Sequence, residues 1–375
     1  MGNLKVHDKL DIQAGGQVEV LDEFGSGGQG TVYKVSYNGK TYALKWYHPR
    51  VFKGKENDFY KNLENNISNG APTDAFLWPK AITKVYNDQF GYLMDVRPSG
   101  YEELTNFFVG GRKQKQARFK SFYALCTAAI NIIEAFRALH NNGYSYQDIN
   151  NGNFFINPEN GDVLICDNDN VSPFGTNLGI MGKQRWIAPE IVMGKNDPDK
   201  NSDRFSLAVV LFRLLFINHP LEGRYSTPPC MTKDAEQKYY GSAPIFVYDP
   251  STTENRPIPG TDHNLKLFWN VYPDYVKEAF IRAFSHDVMM KQKPRILEKE
   301  WLDIFIRLRT EIGRCPHCGQ ETFYTFKGSH DIPCMECSKK ISITNALQIK
   351  NQILPIFPGL KISLWTVDSL SLIHI

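Results

Sequence analysis

The sequence has little that would direct it to a membrane or to nucleic acid. Its net charge is only +3, from 43 Lys and Arg against 40 Asp and Glu, and so weak a balance favours neither partner. No signal-peptide pattern opens the chain, and Val6 stands where a myristoylation signal needs Ser or Thr. The most apolar run, 205–216, is too short to span a bilayer and includes Arg213. We therefore expect a cytoplasmic protein without membrane or nucleic-acid partners.

The composition is that of an ordinary globular protein, 42% hydrophobic and 22% charged. One stretch, 143–169, contains candidate catalytic residues. Asn153 lies five positions after Asp148, and Asp167 follows a strand-forming run at 163–166. Phosphoryl transfer from ATP needs this set, because one carboxylate orients a hydroxyl nucleophile while the amide and the second carboxylate hold magnesium. The stretch therefore predicts a phosphotransfer site.

A glycine-rich tip joins two predicted strands near the N-terminus. The segment 25–30 reads Gly-Ser-Gly-Gly-Gln-Gly and continues as the strand 31–35. A dinucleotide-binding glycine motif should instead pass into a helix, so that interpretation fails. A hairpin whose backbone amides approach phosphates fits better. A plain glycine-rich turn is the alternative. Asn38-Gly39 then predicts a second hairpin turn.

Lys45 lies at the end of the next predicted strand, 41–46. Side chains alternate along a strand, so Ala43 and Lys45 share a face. A small residue and a cation on one face suit the floor of a nucleotide site and its phosphates. A solvated strand lysine is the alternative.

The predicted helix 53–67 offers two glutamates that could orient Lys45, Glu56 and Glu64. Glu64 is preferred because a packing stripe formed by Phe59, Leu63 and Ile67 lies beside it. A surface glutamate is the alternative.

Three further segments complete the order of elements. The strand 91–96 ends at Met94-Asp95-Val96 and runs into a hinge-like turn. A strong helical pattern over 118–142 leads into the stretch with Asp148. Asp203 opens an apolar helix, where it caps that helix, accepts hydrogen bonds from the loop around Asp148, or does both.

With these motifs in order, residues 18–312 resemble a eukaryotic-like (Hanks-type) protein kinase of bacteria. The resemblance implies an α+β, bilobal kinase-like fold over 15–312, with a β-rich N-lobe to about residue 96 and a helical C-lobe from about 97. It implies ATP with magnesium or manganese as cofactors. It also implies transfer of the γ-phosphate to Ser/Thr hydroxyls of a protein, in signalling.

The resemblance assigns a role to each matching residue. The catalytic residues that it implies are Lys45, Asp148, Asn153 and Asp167, of which Asn153 and Asp167 hold magnesium. The nucleotide-binding residues that it implies are Gly25, Gly27, Gly28, Gly30, Val32, Ala43, Lys45, Glu64 and the hinge at Asp95. Ala188-Pro189-Glu190 matches the segment that closes the activation loop, and Arg295 is the expected buried partner of Glu190.

Within the family, the chain is most similar to bacterial kinases encoded beside a phosphatase and a TerY-like metal-binding protein. Those two proteins are therefore the expected partners, while the protein substrate stays unidentified.

Three departures from the family pattern bear on activity. Tyr146-Gln147-Asp148 replaces His-Arg-Asp, so no cation is present to receive an activation-loop phosphate, and activation should not require one. Asn150 replaces a lysine whose charge stabilises the transferring phosphoryl group, often by about 3 kcal/mol. Asp167-Asn168-Asp169 replaces Asp-Phe-Gly, so Asp169 is either a second metal-facing carboxylate or a surface residue.

Two alternatives to an active protein kinase follow. A pseudokinase would bind ATP, or serve as a scaffold, without transfer. Retention of Lys45, Asp148, Asn153 and Asp167 favours the active enzyme. A small-molecule kinase of the aminoglycoside or choline type shares the Asp, Asn and Asp core, but the complete glycine loop and the Ala-Pro-Glu segment at 188–190 argue against it.

Two Cys-x-x-Cys pairs at Cys315, Cys318, Cys334 and Cys337 lie fifteen residues apart. This spacing is typical of a closed, structural four-thiolate zinc site, and a zinc ribbon is predicted over 313–340. Disulfide pairing is the alternative, which a cytoplasmic setting disfavours. Few basic residues surround the ribbon, so protein contact is favoured over nucleic-acid binding.

The last part of the chain, 341–369, is β-like and too short for a domain of its own. The final six residues, 370–375, resemble the translation of a sequencing adapter. We expect the natural protein to continue past about residue 369.

Overall fold

A six-stranded antiparallel sheet forms the N-lobe, which we define as the part of the chain up to residue 96. In the computed structural model the described residues are 4–52, 54–108, 116–228, 230–325, 331–342, 345–349 and 352–356. The strand order is β1-β2-β3-β4-β6-β5. These strands are β1 (Lys9–Asp11), β2 (Gln17–Ser26), β3 (Gly30–Tyr37), β4 (Lys40–Tyr47), β5 (Ala81–Ile82) and β6 (Gly91–Met94). The sheet thus begins before the predicted boundary at residue 15.

Successive side chains along a strand point to opposite faces of the sheet, and both faces of this sheet are apolar. One face is packed around Val18, Val20, Leu44 and Trp46. The other is covered by helix α1 (Glu56–Asn69), which buries Phe59 and Leu63 as the helical stripe predicts. The predicted turn between β3 and β4 is present, with Asn38 and Gly39 both at positive φ (48° and 73°).

Helices dominate the following part, the C-lobe. They are α2 (Leu104–Phe108), α3 (Phe122–Asn141), α4 (Pro189–Val192), α5 (Lys200–Phe216), α6 (Lys233–Gln237), α7 (His263–Val271), α8 (Asp274–Ala283), α9 (His286–Met289) and α10 (Glu298–Thr310). The Ser121 hydroxyl caps α3 by accepting from the Ala124 amide at 3.0 Å. In the described part of the chain, α3 is the one helix long and apolar enough to cross a membrane. It packs against α5 and α10, and 61% of its most apolar stretch is buried, as in a core helix.

Short strands beside these helices hold the loops of the site. They are β7 (Glu102–Glu103), β8 (Tyr144–Ser145), β9 (Phe154–Ile156), β10 (Val163–Ile165) and β11 (Ser172–Pro173). β9 pairs with β7 and β10, and β8 pairs with β11. The loop with Asp148 therefore leaves β8 and enters β9, while Asp167 follows β10.

Three hairpins form the C-terminal part that is described. They pair β12 (Ile312–Arg314) with β13 (Glu321–Phe323), β14 (Asp331–Pro333) with β15 (Lys340–Ser342), and β16 (Asn345–Ile349) with β17 (Gln352–Ile356). The first packs on the C-lobe, since the ring of Phe323 lies 5.4 Å from Phe122 and 5.6 Å from Tyr272. The suspected adapter tail, 370–375, lies outside the described residues.

Candidate active site

The loop around Asp148 is fixed by Asp203 at the start of α5. The Asp203 carboxylate accepts from the backbone amides of Tyr146 at 2.7 Å and Gln147 at 2.9 Å. Of the two roles predicted for Asp203, this one is present. The helix-capping role was wrong, because Asp199 caps α5 by accepting from the Ser202 amide at 2.7 Å.

Asp148 is surrounded by amide groups of its own loop. Asn150 donates from Nδ2 to Oδ1 of Asp148 at 3.0 Å, and Asn153 donates to Oδ2 at 3.4 Å and to the Asp148 backbone carbonyl at 2.9 Å. Burial raises the pKa of Asp148 to about 6, while hydrogen bonding by Asn150 opposes the shift and the charge of Asp167 adds to it. The carboxylate is therefore poised to accept a proton near neutral pH.

Asn153 and Asp167 are brought together by two neighbouring strands. Asn153 ends the loop before β9, and the Cys166 amide donates to its carbonyl at 2.9 Å. Asp167 follows in a left-handed conformation (φ 54°) that turns the chain sharply after β10. An amide oxygen and a carboxylate are the oxygen ligands that magnesium prefers, so this pair fits the predicted metal.

Lys45 lies almost buried between the lobes and contacts three side chains. Its Nζ donates to Gln29 Oε1 at 2.8 Å and lies 3.4 Å from Oδ1 of Asp167. It lies closest to the carboxylate of Asp169, at 2.9 and 3.0 Å. Burial would lower the pKa of Lys45, but the charges of Asp167 and Asp169 raise it above its usual value.

The predicted pairing of Lys45 with Glu64 is not formed. Glu64 accepts instead from Nε2 of Gln13 at 2.5 Å on the outer side of α1. The helix directs Asn62 toward the site, where it donates to backbone carbonyls of the loop after β10. Positions 62 and 64 lie about 200° apart around a helix, so a rotation that turns Asn62 toward this loop turns Glu64 away from it.

Of the two interpretations given for Asp169, burial contradicts the surface residue, and the metal-facing carboxylate stays a prediction. Its side chain is only 1% exposed, so the surface interpretation was wrong. It faces Lys45, and burial alone would raise the pKa of Asp169, yet Lys45 and two tyrosine hydroxyls lower it below the usual value.

The glycine loop is a hairpin, as predicted. It connects β2 and β3, and the Gly27 amide donates to the Gly30 carbonyl at 2.8 Å. A Cβ at position 30 would stand 2.4 Å from the carbonyl oxygen of Trp46, so only glycine fits there. Gly25 pairs with Val32 across the hairpin, and Gly28 lies at the exposed tip.

The predicted nucleotide floor is an apolar cluster on one face of the sheet. Ala43 is buried in the same cluster as Met94, with Val32 and Val96 packed against it. Asp95 follows β6, and its half-exposed side chain pairs with Lys80 at 2.7 Å. The backbone of the hinge is therefore the part left to contact a base.

Gln147 occupies the position where the family has the arginine before the catalytic Asp. It is buried in a left-handed conformation (φ 69°). Its Nε2 donates to the hydroxyls of Ser145 and Ser172, each at 2.9 Å, and to the Thr176 carbonyl at 2.8 Å. A neutral amide thus ties the loop around Asp148, which corresponds to the catalytic loop of the family (146–153), to the activation segment, 167–190.

A cation of the activation segment lies beside the catalytic loop. Lys183 donates from Nζ to Asn151 Oδ1 at 2.8 Å. Asn151 directly follows Asn150, the position where the family has its lysine. The Asn150 side chain itself closes a local turn, because its Oδ1 accepts from the Gly152 amide at 2.9 Å.

The expected pair of Glu190 and Arg295 is present and buried. The guanidinium donates to the two carboxylate oxygens at 2.8 and 2.7 Å. Such bidentate pairing fixes both partners in one geometry, and here it holds the end of the activation segment against the residues before α10.

The four C-terminal cysteines converge as predicted. Their sulfur atoms all lie within 4.8 Å of one another. The closest pairs are Cys315 with Cys337 at 3.8 Å and Cys318 with Cys334 at 3.7 Å. A tetrahedron of sulfurs about 2.3 Å from zinc has edges of roughly 3.8 Å, so the cluster is compatible with a zinc ribbon.

Sequence reasoning missed four residues that shape the site. Nothing in the sequence distinguishes Gln29 or Asn62, because glutamine and asparagine are common in loops and helices. Tyr47 had a signal: it lies two positions after Lys45 on the same strand face. Tyr92 required the strand register, in which it lies directly opposite Lys45.

Comparison with known proteins agrees with this geometry. The sequence model of the protein kinase domain matches residues 18–256, more than half of the chain, and the chain belongs to that family. The region also resembles the Probable serine/threonine-protein kinase kinX of Dictyostelium discoideum, with 26% identity over 53% of this chain and 18% of the relative.

Two further relatives have similar names. A second probable serine/threonine-protein kinase of Dictyostelium discoideum is 29% identical over 51% of this chain and 19% of its own length. The serine/threonine-protein kinase SCH9 of Candida albicans is 26% identical over 51% of this chain and 24% of its own length. The chain therefore spans only about a fifth of the length of these relatives.

Proposed function

We propose that this chain is an active protein kinase that transfers the γ-phosphate of ATP to a Ser or Thr hydroxyl of a protein. The observation that carries the proposal is the convergence of Lys45, Asp148, Asn153 and Asp167 between a β-rich lobe and a helical lobe. A scaffold that had lost catalysis would not need all four. The names of the relatives support Ser/Thr as the acceptor.

Each side chain has a task in this scheme. Lys45 binds the phosphates nearest the nucleoside, and the amides of the glycine loop cover them. Asn153 and Asp167 would hold the divalent metal, which would supply the positive charge needed beside the phosphates. Asp148 orients the acceptor hydroxyl and takes its proton as the bond from the hydroxyl oxygen to the γ-phosphorus forms and the bond from the γ-phosphorus to the leaving ADP breaks.

The activation segment needs no phosphate in this scheme. A kinase with an arginine before its catalytic Asp uses that cation to hold a phosphorylated residue. Here the amide of Gln147 already bonds the segment at Ser172 and Thr176. The activation segment therefore adopts its active conformation without phosphorylation.

The four-cysteine cluster is proposed to hold a structural zinc ion in a ribbon. A closed set of four thiolates leaves no ligand position for chemistry, so its contribution is to folding. The narrower resemblance to bacterial kinases that work with a phosphatase and a TerY-like protein stays a prediction, as does the cytoplasmic location.

The experiment that tests the proposal is transfer of labelled γ-phosphate from ATP and magnesium to a generic protein acceptor. We expect transfer by the wild-type chain and its loss in Asp148→Asn. Unchanged transfer by that variant would contradict the scheme. Nucleotide binding without transfer by the wild type would instead identify a pseudokinase.

A further inference from the structure

Lys45 is held by a carboxylate that the family pattern does not supply. Asp169 presents both of its oxygens to the Lys45 ammonium, at 3.0 and 2.9 Å. The exposed fractions of the two side chains are only 5% and 1%. Water cannot solvate either charge there, so the orientation of each depends on the other.

Two tyrosine hydroxyls hold Asp169 in place. Tyr47 donates to Oδ2 at 2.6 Å, and Tyr92 donates to Oδ1 at 2.9 Å. Tyr47 lies two residues beyond Lys45 on β4, and Tyr92 pairs directly with Lys45 across β4 and β6. All three side chains therefore project from one face of the sheet and meet the carboxylate together.

The backbone of the Asp169 loop is anchored to α1. Asn62 donates from Nδ2 to the carbonyl of Asp169 at 3.3 Å and to that of Val171 at 2.8 Å. Asn66, one turn further along the helix, donates to the same Val171 carbonyl at 2.9 Å. The helix thus supplies amides that place the loop, and the loop supplies the carboxylate.

The two acids of this loop have separate surroundings. Asp167 is 35% exposed and lies at 3.4 Å from Lys45, which leaves its carboxylate available to a metal. Asp169 is enclosed by Lys45, Tyr47 and Tyr92. Asp169 can therefore fix Lys45 while Asp167, two residues before it, stays accessible to a metal.

We propose that Asp169 is the positioning residue for Lys45, the task that the sequence pattern assigned to Glu64. This inference rests on the proposed function, because it names the residue that aims Lys45 at the phosphates of ATP. The orientation of the lysine then depends on the metal-binding loop and the sheet, and not on a carboxylate carried by α1.

The test compares Asp169→Asn, which keeps the shape of the side chain, with Glu64→Gln as its matched control. We expect Asp169→Asn to lower kcat/KM for ATP at least about tenfold, mainly through KM, and Glu64→Gln to stay within about twofold of wild type. In a Lys45→Met background, Asp169→Asn should lower kcat/KM for ATP by less than about a further twofold. Both substitutions remove the same interaction, the one between Lys45 and Asp169. A residue needed only for folding would lower activity in both backgrounds.

A milder pair of variants covers the case in which Asp169→Asn does not fold. Tyr47→Phe and Tyr92→Phe each remove one hydroxyl from Asp169, and together they should raise KM for ATP by about threefold or more. Wild-type KM in both Asp169→Asn and the double tyrosine variant, or tighter ATP binding in Asp169→Asn, would overturn the proposal. Tighter binding would mean that Asp169 withholds Lys45 from the nucleotide.

Binding of a fluorescent ATP analogue separates this inference from the proposed function. If the wild type binds the analogue without transferring phosphate, the kinase assignment fails and the same variants are compared by dissociation constant. Loss of affinity in Asp169→Asn, with normal affinity in Glu64→Gln, would then still support Asp169 as the positioning residue. A wild type that binds no nucleotide would overturn both.

Discussion

At the scale of single residues, the environment of Asp148 sets an expectation for pH dependence. The carboxyl must be ionised to accept the hydroxyl proton, and burial raises its pKa from the usual 3.8 to about 6. The fraction of enzyme with an ionised Asp148 therefore grows as pH rises through about 6. Below that pH the Asp148 carboxyl is protonated and cannot accept the hydroxyl proton.

We predict that kcat/KM rises with pH to a plateau, with a midpoint near pH 6. Asn150→Ala should move this midpoint upward, because it removes the hydrogen bond to Asp148 that opposes the shift. Asn151→Ala is the matched control, since that side chain bonds Thr105 and Lys183 instead. Activity that is flat from pH 5 to 8 would contradict the role of Asp148.

The residues that could be predicted from the sequence are those whose positions follow from local spacing. Asp148, Asn153 and Asp167 lie at the ends of short strands, and the chain brings them together with one hairpin. Asp169 could not be assigned, because its direction depends on the left-handed turn at Asp167 and on the register that places Tyr92 beside Lys45. Both features are set by contacts distant in sequence.

At the scale of elements, α1 shows why the Glu64 prediction was wrong. The apolar stripe of the helix was identified correctly, yet a stripe about 100° wide leaves the flanking positions undecided. The hydrogen bonds of Asn62 and Asn66 to the loop after β10 fix the rotation of the helix. Glu64 is thereby turned outward to Gln13.

The activation segment supports a prediction about Gln147. Its side chain makes two hydrogen bonds that join the loop around Asp148 to this segment, at Ser172 and Thr176, each worth about 1 kcal/mol. We expect Gln147→Ala to lower kcat/KM for a protein acceptor by about tenfold. Gln13→Ala, which removes an exposed glutamine bonded to Glu64, should leave it unchanged.

The same account predicts that phosphorylation of the segment is dispensable. Thr176→Ala should keep activity within about twofold, because the Thr176 hydroxyl is exposed and donates to the nearby Pro173 carbonyl within its own segment. Steady-state kinetics after phosphatase treatment provide the second measurement. A large loss in either case would show that a phosphate, and not Gln147, orders the segment.

At the scale of the whole molecule, the cysteine cluster is joined to the kinase fold. The Glu321 carboxylate accepts from the Phe122 amide at the start of α3, at 2.6 Å. Glu311, which follows α10, accepts from Tyr275 at 2.9 Å and from Thr325 at 3.0 Å. Loss of the cluster geometry should therefore lower the stability of the C-lobe.

We predict one zinc ion per chain by metal analysis. Cys318→Ser should lose the ion and lower the thermal unfolding temperature by about 5 °C, since metal binding contributes to folding. Cys230→Ser, at an exposed cysteine outside the cluster, should retain both. Full stability after Cys318→Ser or after chelation would contradict a structural metal.

The most direct measurement is transfer of labelled γ-phosphate by the wild-type chain and Asp148→Asn, each first shown to bind ATP. The account predicts transfer by the wild type and a loss of about 100-fold or more in the variant, with ATP affinity retained. Binding would then be intact while the chemical step is lost. Equal transfer by the two proteins, or ATP binding by the wild type with no transfer at all, would contradict the central claim that these residues form a working kinase site.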